Sequence, residues 1–284
     1  MVSIGKLEIR MGVPARIMGV INVSPESFYK KSIRTTVQEI ALTASEMQDR
    51  GAEMVDIGAM STAPYLETVI TVEQEIKRLR LAIEAVRRDC SLPISVDTLR
   101  SEVAEEAISM GIDVINDISG LKYDKKMADV ISRSGSYVIV SAYGGQSGAV
   151  SGHFAGTMNT LNESINIARK AGICTDDIII DPAIGFFRAS GKNPFFTKMT
   201  DLPWYVRDIE VISNLKRLQV FSMPICISVS RKSFLGNIFN LASEDLLIPS
   251  ALMELTCILN GANIIRTHDV VETSYAKMVS DLFT

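Results

Sequence analysis

The chain has 284 residues, 47% hydrophobic and 22% charged, with a formal net charge of −4. That balance excludes a disordered chain and leaves no broad basic surface for nucleic acid, so an anionic ligand has to be met by local cations. No run of about 18 apolar residues offers a membrane span and the N-terminal stretch lacks the apolar stretch of a signal peptide, while Cys90, Cys174, Cys226 and Cys257 lie far apart without a C-x-x-C pair, the pattern of reduced thiols in a cytoplasmic protein.

In chain order, a short strand near 7–10 precedes the first buried strand at 17–23. Apolar residues Val37, Ile40, Ala41, Ala44 and Met47 recur at helical spacing over 35–50, and Gly51 stops that helix. Strands are predicted at 54–57, 94–96, 114–116, 137–141, 178–181, 225–230 and 264–266. Helices fall between them, at 72–88, 101–110, 125–133, 157–171, 202–218, 232–239 with 246–260, and 271–282. Loops at 143–156 and 182–198 carry no element of their own. Eight apolar strands alternating with eight helical segments predict an all-parallel sheet covered by helices. At this length the arrangement predicts a single-domain (β/α)8 TIM barrel over residues 1–284.

In such a barrel the C-terminal strand ends share one mouth. Those ends carry Asn22, Asp56, Ser61-Thr62, Asp97-Thr98, Asn116-Asp117, Asp181-Pro182, Ser230 to Ser233, and Arg266 to Asp269. Carboxylates and carboxamides gather on strands two, three, four and six; cations gather on seven and eight. Asp97, Asn116 and Asp181 can form a planar array for an aminopyrimidine-like ring, with Lys232 donating to it. Arg266 and His268 suit a phosphate or pyrophosphate. Asn22 offers an oxygen to Mg2+, which usually arrives with phosphates. Taken one at a time, Asp113 and Asp117 read as caps or loop residues, His268-Asp269 as a structural pair, and Phe186-Phe187 as packing.

The segments I-M-G-V-I-N-V-S-P-E-S-F ending at Phe28, G-A-E-M-V-D-I-G-A-M-S-T ending at Thr62, I-S-V-D-T ending at Thr98, V-I-N-D-I ending at Ile118, I-I-D-P-A-I-G-F-F ending at Phe187, S-R-K-S ending at Ser233 and I-I-R-T-H-D ending at Asp269 resemble, in order and spacing, the motif series of the dihydropteroate synthases. The resemblance implies a (β/α)8 barrel that condenses 6-hydroxymethyl-7,8-dihydropterin pyrophosphate with the arylamine p-aminobenzoate, as a homodimer with Mg2+. It implies that Asp97, Asn116, Asp181 and Lys232 hold the pterin and that Asn22 ligates the metal. It further assigns Thr62, Arg266 and His268 to the pyrophosphate, Asp56 to orienting that end, and Ser233 and Phe186 to the border of the acceptor site. The chemistry implied is a dissociative substitution in which pyrophosphate leaves first.

Three segments depart from the family pattern. Ser61-Thr62-Ala63-Pro64-Tyr65 lacks the family's arginine at Ala63. The stretch from Pro25 to Lys31 loses an Asp and a Gly-Gly pair and gains Lys30 and Lys31. Asp181 to Arg188 reads D-P-A-I-G-F-F-R. These departures predict an acceptor larger or differently charged than free p-aminobenzoate, as in pathways to methanopterin-type cofactors, with Lys30, Lys31 or Arg34 standing in for the missing arginine. Two other activities fit a pterin site: a non-catalytic pterin-binding relative and a pterin-dependent methyltransferase. Both have little use for an anion site at Arg266 and His268. A Schiff-base role for Lys232 is disfavoured because Arg231 and the acids across the mouth predict a setting too charged to depress an amine's pKa.

Overall fold

The structure, a computed structural model, describes residues 2–10, 12–26, 33–146 and 148–283. It opens with an antiparallel hairpin, β1 (Val2–Ile4) and β2 (Leu7–Ile9), turned at Gly5 with φ +59°. The barrel strands begin with β3 (Arg16–Asn22), β4 (Met54–Gly58), β5 (Ile94–Asp97), β6 (Val114–Asp117), β7 (Tyr137–Ser141) and β8 (Ile178–Asp181). A two-residue parallel pair follows, β9 (Phe187–Arg188) with β10 (Thr197–Lys198), and the barrel ends with β11 (Cys226–Ile227) and β12 (Ile264–Thr267). The eight barrel strands pair in parallel in the order β11-β12-β3-β4-β5-β6-β7-β8. A bridge between Ile180 and Ile225, with Ile180 N–H donating to the Pro224 carbonyl at 2.9 Å, joins the two ends of the sheet.

The covering helices are α1 (Val37–Asp49), α2 (Val72–Asp89), α3 (Ser101–Ser109), α4 (Met127–Ser134), α5 (Phe154–Lys170), α6 (Trp204–Ser213), α7 (Ser233–Phe239), α8 (Leu247–Leu259) and α9 (Val270–Ser280). Thr36-Glu39 and Thr71-Gln74 form capping boxes that start α1 and α2. The outward strand residues, among them Ile17, Ile57, Val96, Ile115, Val140, Ile180, Ile227 and Ile265, share one core with the inner helix faces.

Five details differ from the sequence-based expectation. The loop expected over 182–198 holds the β9–β10 pair. The N-terminal strand is a hairpin, and its fully buried Val2, Ile4 and Ile9 join Met18, Met54, Val114, Ile139, Ile179, Cys226 and Ile264 in one cluster. It plugs the bottom of the barrel, held also by Tyr137 Oη donating to the Ser3 carbonyl. Helix α5 starts inside the expected loop, three residues early. The helix expected over 202–218 breaks at Asn214 into α6 and a 3-10 turn. The strand expected over 225–230 pairs at 226–227 and then leaves the sheet, because the chain must turn through Arg231 at φ +56°.

Glu254 on α8 is a buried acid that the barrel mouth does not use. It is 1% exposed; its Oε2 accepts from Thr273 Oγ1 at 2.7 Å, and Oε1 is buried without a donor. Burial pushes its pKa from 4.5 up to about 8. A raised folded-state pKa favours folding fully at acid pH, below 4.5, and that contribution is lost as pH rises through about 8. Glu254→Gln is expected to stabilise the protein at alkaline pH by about 1–2 kcal/mol, read as a higher Tm and a flatter Tm–pH curve. An unchanged curve would count against that charge state.

Candidate active site

The inward strand positions change character two residues above the apolar cluster, as the alternation of a strand requires. Met54 is followed by Asp56, Val114 by Asn116, Ile139 by Ser141, Ile179 by Asp181, Cys226 by Ser228 and Ile264 by Arg266. On these six strands the layer below is apolar and this one polar, while on β3 Met18 is followed by the apolar Val20. One level higher, the strand register places Asn22 opposite Gly58, Gly58 opposite Asp97, and Asp97 opposite Asn116. Gly58 keeps that row open: a Cβ there would lie 3.4 Å from Asn22 Oδ1. The result is a cleft lined by Asn22, Thr62, Asp97, Asn116, Asp181, Phe186, Lys232, Ser233, Arg266 and His268. Those are the sequence-predicted site residues with one exception, Asp56, which lies beneath the floor.

Asp56 is fully buried and acts through its neighbours. It accepts from Ser95 Oγ at 2.6 Å, from Asn116 Nδ2 at 3.3 Å and from Arg266 Nε at 2.7 Å. Arg266 Nη2 lies 2.6 Å from Asp56 Oδ2 and 3.2 Å from Asp97 Oδ2. The guanidinium thus ties two carboxylates together, and their charge raises its pKa despite burial. The second oxygen of Asp97, Oδ1, is buried with no donor. Burial pushes the Asp97 pKa up to about 7, with Arg266 pulling it down and Asp56 pushing it up. Asp181 is also raised by burial, while one of its oxygens accepts from Ala183 N–H at 2.6 Å.

Lys232 Nζ sits 4.5 Å from the centre of the Phe186 ring, and no hydrogen bond is made to it among the described residues. Burial, and then repulsion from Arg266, lower its pKa to about 8 against the pull of Asp181. The charged setting predicted from sequence does not protect this amine; desolvation outweighs the acids nearby. His268 is pushed down to about 3 by burial and by Arg266, Lys232 and Arg231, so the ring is neutral. Ser230 Oγ accepts from the His268 backbone N–H at 3.1 Å and lies 3.0 Å from Nδ1.

Arg231, beside Lys232, has a different job. Nε and Nη2 bond both oxygens of Asp269 at 2.8 and 2.9 Å, and Nη1 donates to the Ser243 and Glu244 carbonyls. This clamp holds the left-handed turn that presents Lys232. Asp117 is a turn residue, accepting from Ser119 and Leu121 N–H at 2.8 Å each. Asp113 accepts from Ile94 N–H at 2.8 Å. Thr98 donates to the buried Glu75 at 2.7 Å, which also pairs with Arg100 at 2.8 Å.

Sequence reasoning missed the buried pair Arg207–Asp208 on α6, 3.0 Å apart. Arg207 donates to the Pro182 and Ala183 carbonyls at 2.6 and 3.1 Å, and Asp208 accepts from Gly185 N–H at 3.1 Å. Together they fix the loop after Asp181, where Ala183 adopts φ +58°. An Arg-Asp pair on a helix otherwise rich in apolar residues is a faint signal of it. Phe187 is fully buried packing, as its sequence suggests, whereas its neighbour Phe186 faces the cleft. Of the three cations expected to replace the missing arginine, Lys30 and Lys31 lie outside the described residues. Arg34 turns its guanidinium to Thr43 on α1 at 2.8 Å and does not line the cleft.

A closed parallel barrel with ionisable groups converging on a deep mouth defines an α/β-barrel enzyme of small-molecule chemistry. Residues 18–268 match the pterin binding enzyme family. The dihydropteroate synthase of Clostridium beijerinckii is 33% identical over 99% of this chain and 98% of its own length. Two solved structures share the whole architecture. The dihydropteroate synthase of Clostridium difficile, determined in the presence of pteroic acid, has a TM-score of 0.82 at 28% identity, covering 97% of this chain and 99% of that one. The Xanthomonas albilineans enzyme with 4-aminobenzoic acid has a TM-score of 0.82 at 28% identity, covering 95% and 93%. The chain belongs to the pterin binding enzyme family. Within it, the chain is a dihydropteroate synthase-type transferase of folate biosynthesis.

Proposed function

We propose that the cleft binds 6-hydroxymethyl-7,8-dihydropterin pyrophosphate and joins its exocyclic carbon to the amine of p-aminobenzoate, releasing pyrophosphate. The observation that carries this is Asp97 Oδ1, a buried acceptor with no donor, in a row with Asn116 and close to Asp181 and Lys232. An unsatisfied buried oxygen is costly, and a ring edge bearing N–H groups would satisfy it. Asp97, Asn116, Asp181 and Lys232 take the pterin. Arg266, positioned by Asp56, takes the pyrophosphate with the neutral ring of His268 and the hydroxyl of Thr62. Phe186 and Ser233 border the arylamine.

The reaction is a substitution in which the carbon–oxygen bond to pyrophosphate breaks ahead of attack. Arg266 and His268 meet the charge growing on the leaving group, and Asp97 and Asp181 face the positive charge left on the pterin. The arylamine nitrogen then supplies the electron pair and sheds a proton. No side-chain nucleophile is required. Among the described residues no cluster of three His, Cys, Asp or Glu is placed to hold a metal. Asn22, a single neutral oxygen at the cleft wall, fits a Mg2+ that draws its remaining ligands from pyrophosphate and water. Such an ion would supply charge neutralisation on the leaving group.

Asp97 and Lys232 together set the pH dependence. Asp97 ionises as pH rises through about 7, and Lys232 loses its proton through about 8. kcat/KM for the pterin substrate is therefore expected to rise on the acid side near 7 and fall on the alkaline side near 8. A flat profile between pH 6 and pH 9, taken over about three units, would contradict those assignments.

The working unit we propose is a cytoplasmic homodimer. Its support is the exposed Ile238 and Phe239 on α7, Ile248 and Leu252 on α8, and Tyr275 and Met278 on α9. The reaction is tested by measuring pyrophosphate on mixing enzyme, pterin pyrophosphate and arylamine. Pterin binding without release would make the chain a non-catalytic relative. Methyl transfer from a pterin with no such release would make it a methyltransferase.

A further inference from the structure

One buried cation near the mouth stands without a carboxylate. Arg188, on β9, is 8% exposed. Its guanidinium carbon lies 3.6 Å from the centre of the Trp204 ring. Nη1 donates to the Phe187 carbonyl at 3.2 Å, and Nη2 donates to Ser233 Oγ at 3.1 Å. Among the described residues no carboxylate pairs with it. Arg207 and Arg231 are also buried and Arg266 is half-buried, and each has an aspartate at 3.0 Å or closer. The acid facing this region, Asp208, is committed to Arg207 and to Gly185 N–H.

A guanidinium taken from water without a counter-ion is expensive, and a site that keeps one in that state is matched to an anion that arrives later. Burial lowers the Arg188 pKa to about 10, which still leaves it charged at neutral pH. Among the described residues its one side-chain hydrogen-bond partner, Ser233, lines the cleft. Ser233 Oγ accepts from Arg188, so the serine's own hydrogen remains to donate into the cleft. Ser233 shares that wall with Ala63, Pro64, Tyr65 and Phe186. The Tyr65 phenol is near enough for Arg188 to oppose the upward push of burial on its pKa.

We propose that Arg188, acting through Ser233, makes the enzyme select arylamines that carry a carboxylate. It is a positioning residue that orients and polarises the serine hydroxyl, and it supplies the positive field that the anion balances. A neutral acceptor of the same shape leaves that charge to Asp208 alone, which reaches it only through space. The inference rests on the condensation proposed above and names the residue that sets its acceptor class.

The test compares p-aminobenzoate with its neutral isostere 4-aminobenzamide, at saturating pterin pyrophosphate. The wild-type enzyme is expected to prefer the acid in kcat/KM by about tenfold or more, as suits a hydrogen bond to a charged group. Arg188→Met is expected to raise KM for the acid about tenfold, to leave KM for pterin pyrophosphate unchanged, and to erase the acid preference. Ser233→Ala is expected to do the same, and the double variant no more than either single one. Equal use of acid and amide by the wild-type enzyme overturns the inference without any variant. So does an Arg188→Met enzyme that keeps the full preference. If that variant fails to fold, Arg188→Lys, which keeps the charge without the planar fork, is expected to retain a reduced preference; an unreduced one counts against the serine-mediated route. Failure of every arylamine with wild-type enzyme overturns the condensation itself, a result distinct from loss of acceptor preference.

Discussion

Lys232→Ala is expected to lower kcat/KM for pterin pyrophosphate by about 10²- to 10³-fold, the scale of losing one preorganised electrostatic contact. The effect has two parts. The ammonium is lost from a place where it lies against the Phe186 ring with its stem packed on Gly185; a Cβ on Gly185 would come within 3.2 Å of Lys232 Cδ. Its removal also acts on Asp181. Burial already raises that carboxyl, and Lys232 is the first of the cations holding it down. Without the lysine, Asp181 protonates more readily and presents a weaker acceptor to the ring. Lys232→Arg is not expected to rescue activity, because the passage beside Gly185 suits a slim stem and the planar fork is wider. Steady-state kinetics over pterin pyrophosphate concentration provide the check. Retained activity in the alanine variant would remove Lys232 from the site.

Arg266→Ala is expected to damage folding and catalysis together. Asp56 is fully buried beside Asp97, and Arg266 lies against both. Deleting it leaves two acids facing each other with Ser95 and Asn116 as the remaining donors to Asp56. Breaking a buried ion network in this way costs about 3–5 kcal/mol. Denaturant unfolding should show that loss, and turnover should fall by at least about 10²-fold at temperatures where the variant remains folded. Because the penalty comes from the unpaired acids, Asp56→Asn combined with Arg266→Ala is expected to recover stability without recovering turnover. Recovery of both would mean that Arg266 serves the fold alone.

The barrel was legible because its strands are short β-branched runs between helices with regular spacing, and because polar residues recur at their C-terminal ends. The site residues followed from that geometry: a strand end in a parallel barrel has one place to point. What stayed hidden depends on contacts distant in sequence. The β1–β2 hairpin has the alternation of Val2, Ile4, Leu7 and Ile9 around Gly5, yet its reason is the apolar floor it covers, which seven separate barrel strands assemble. The Arg207–Asp208 pair lies on a helix and serves a loop some twenty residues earlier, so no local pattern announces it. Lys232 was misjudged electrostatically for the same reason. Counting charges in sequence misses burial, and burial decides this pKa. The period-two change from Met54 to Asp56, Ile179 to Asp181 and Ile264 to Arg266 was present in the sequence, and it marks where the apolar floor ends and the site begins.

Purified enzyme mixed with 6-hydroxymethyl-7,8-dihydropterin pyrophosphate and p-aminobenzoate tests the central claim most directly, with product mass and pyrophosphate followed together. The expected result is dihydropteroate and pyrophosphate in equal amounts, neither appearing with Lys232→Ala at a comparable rate. Pterin that binds and is recovered unchanged, with no pyrophosphate formed in the presence of the arylamine, would contradict it.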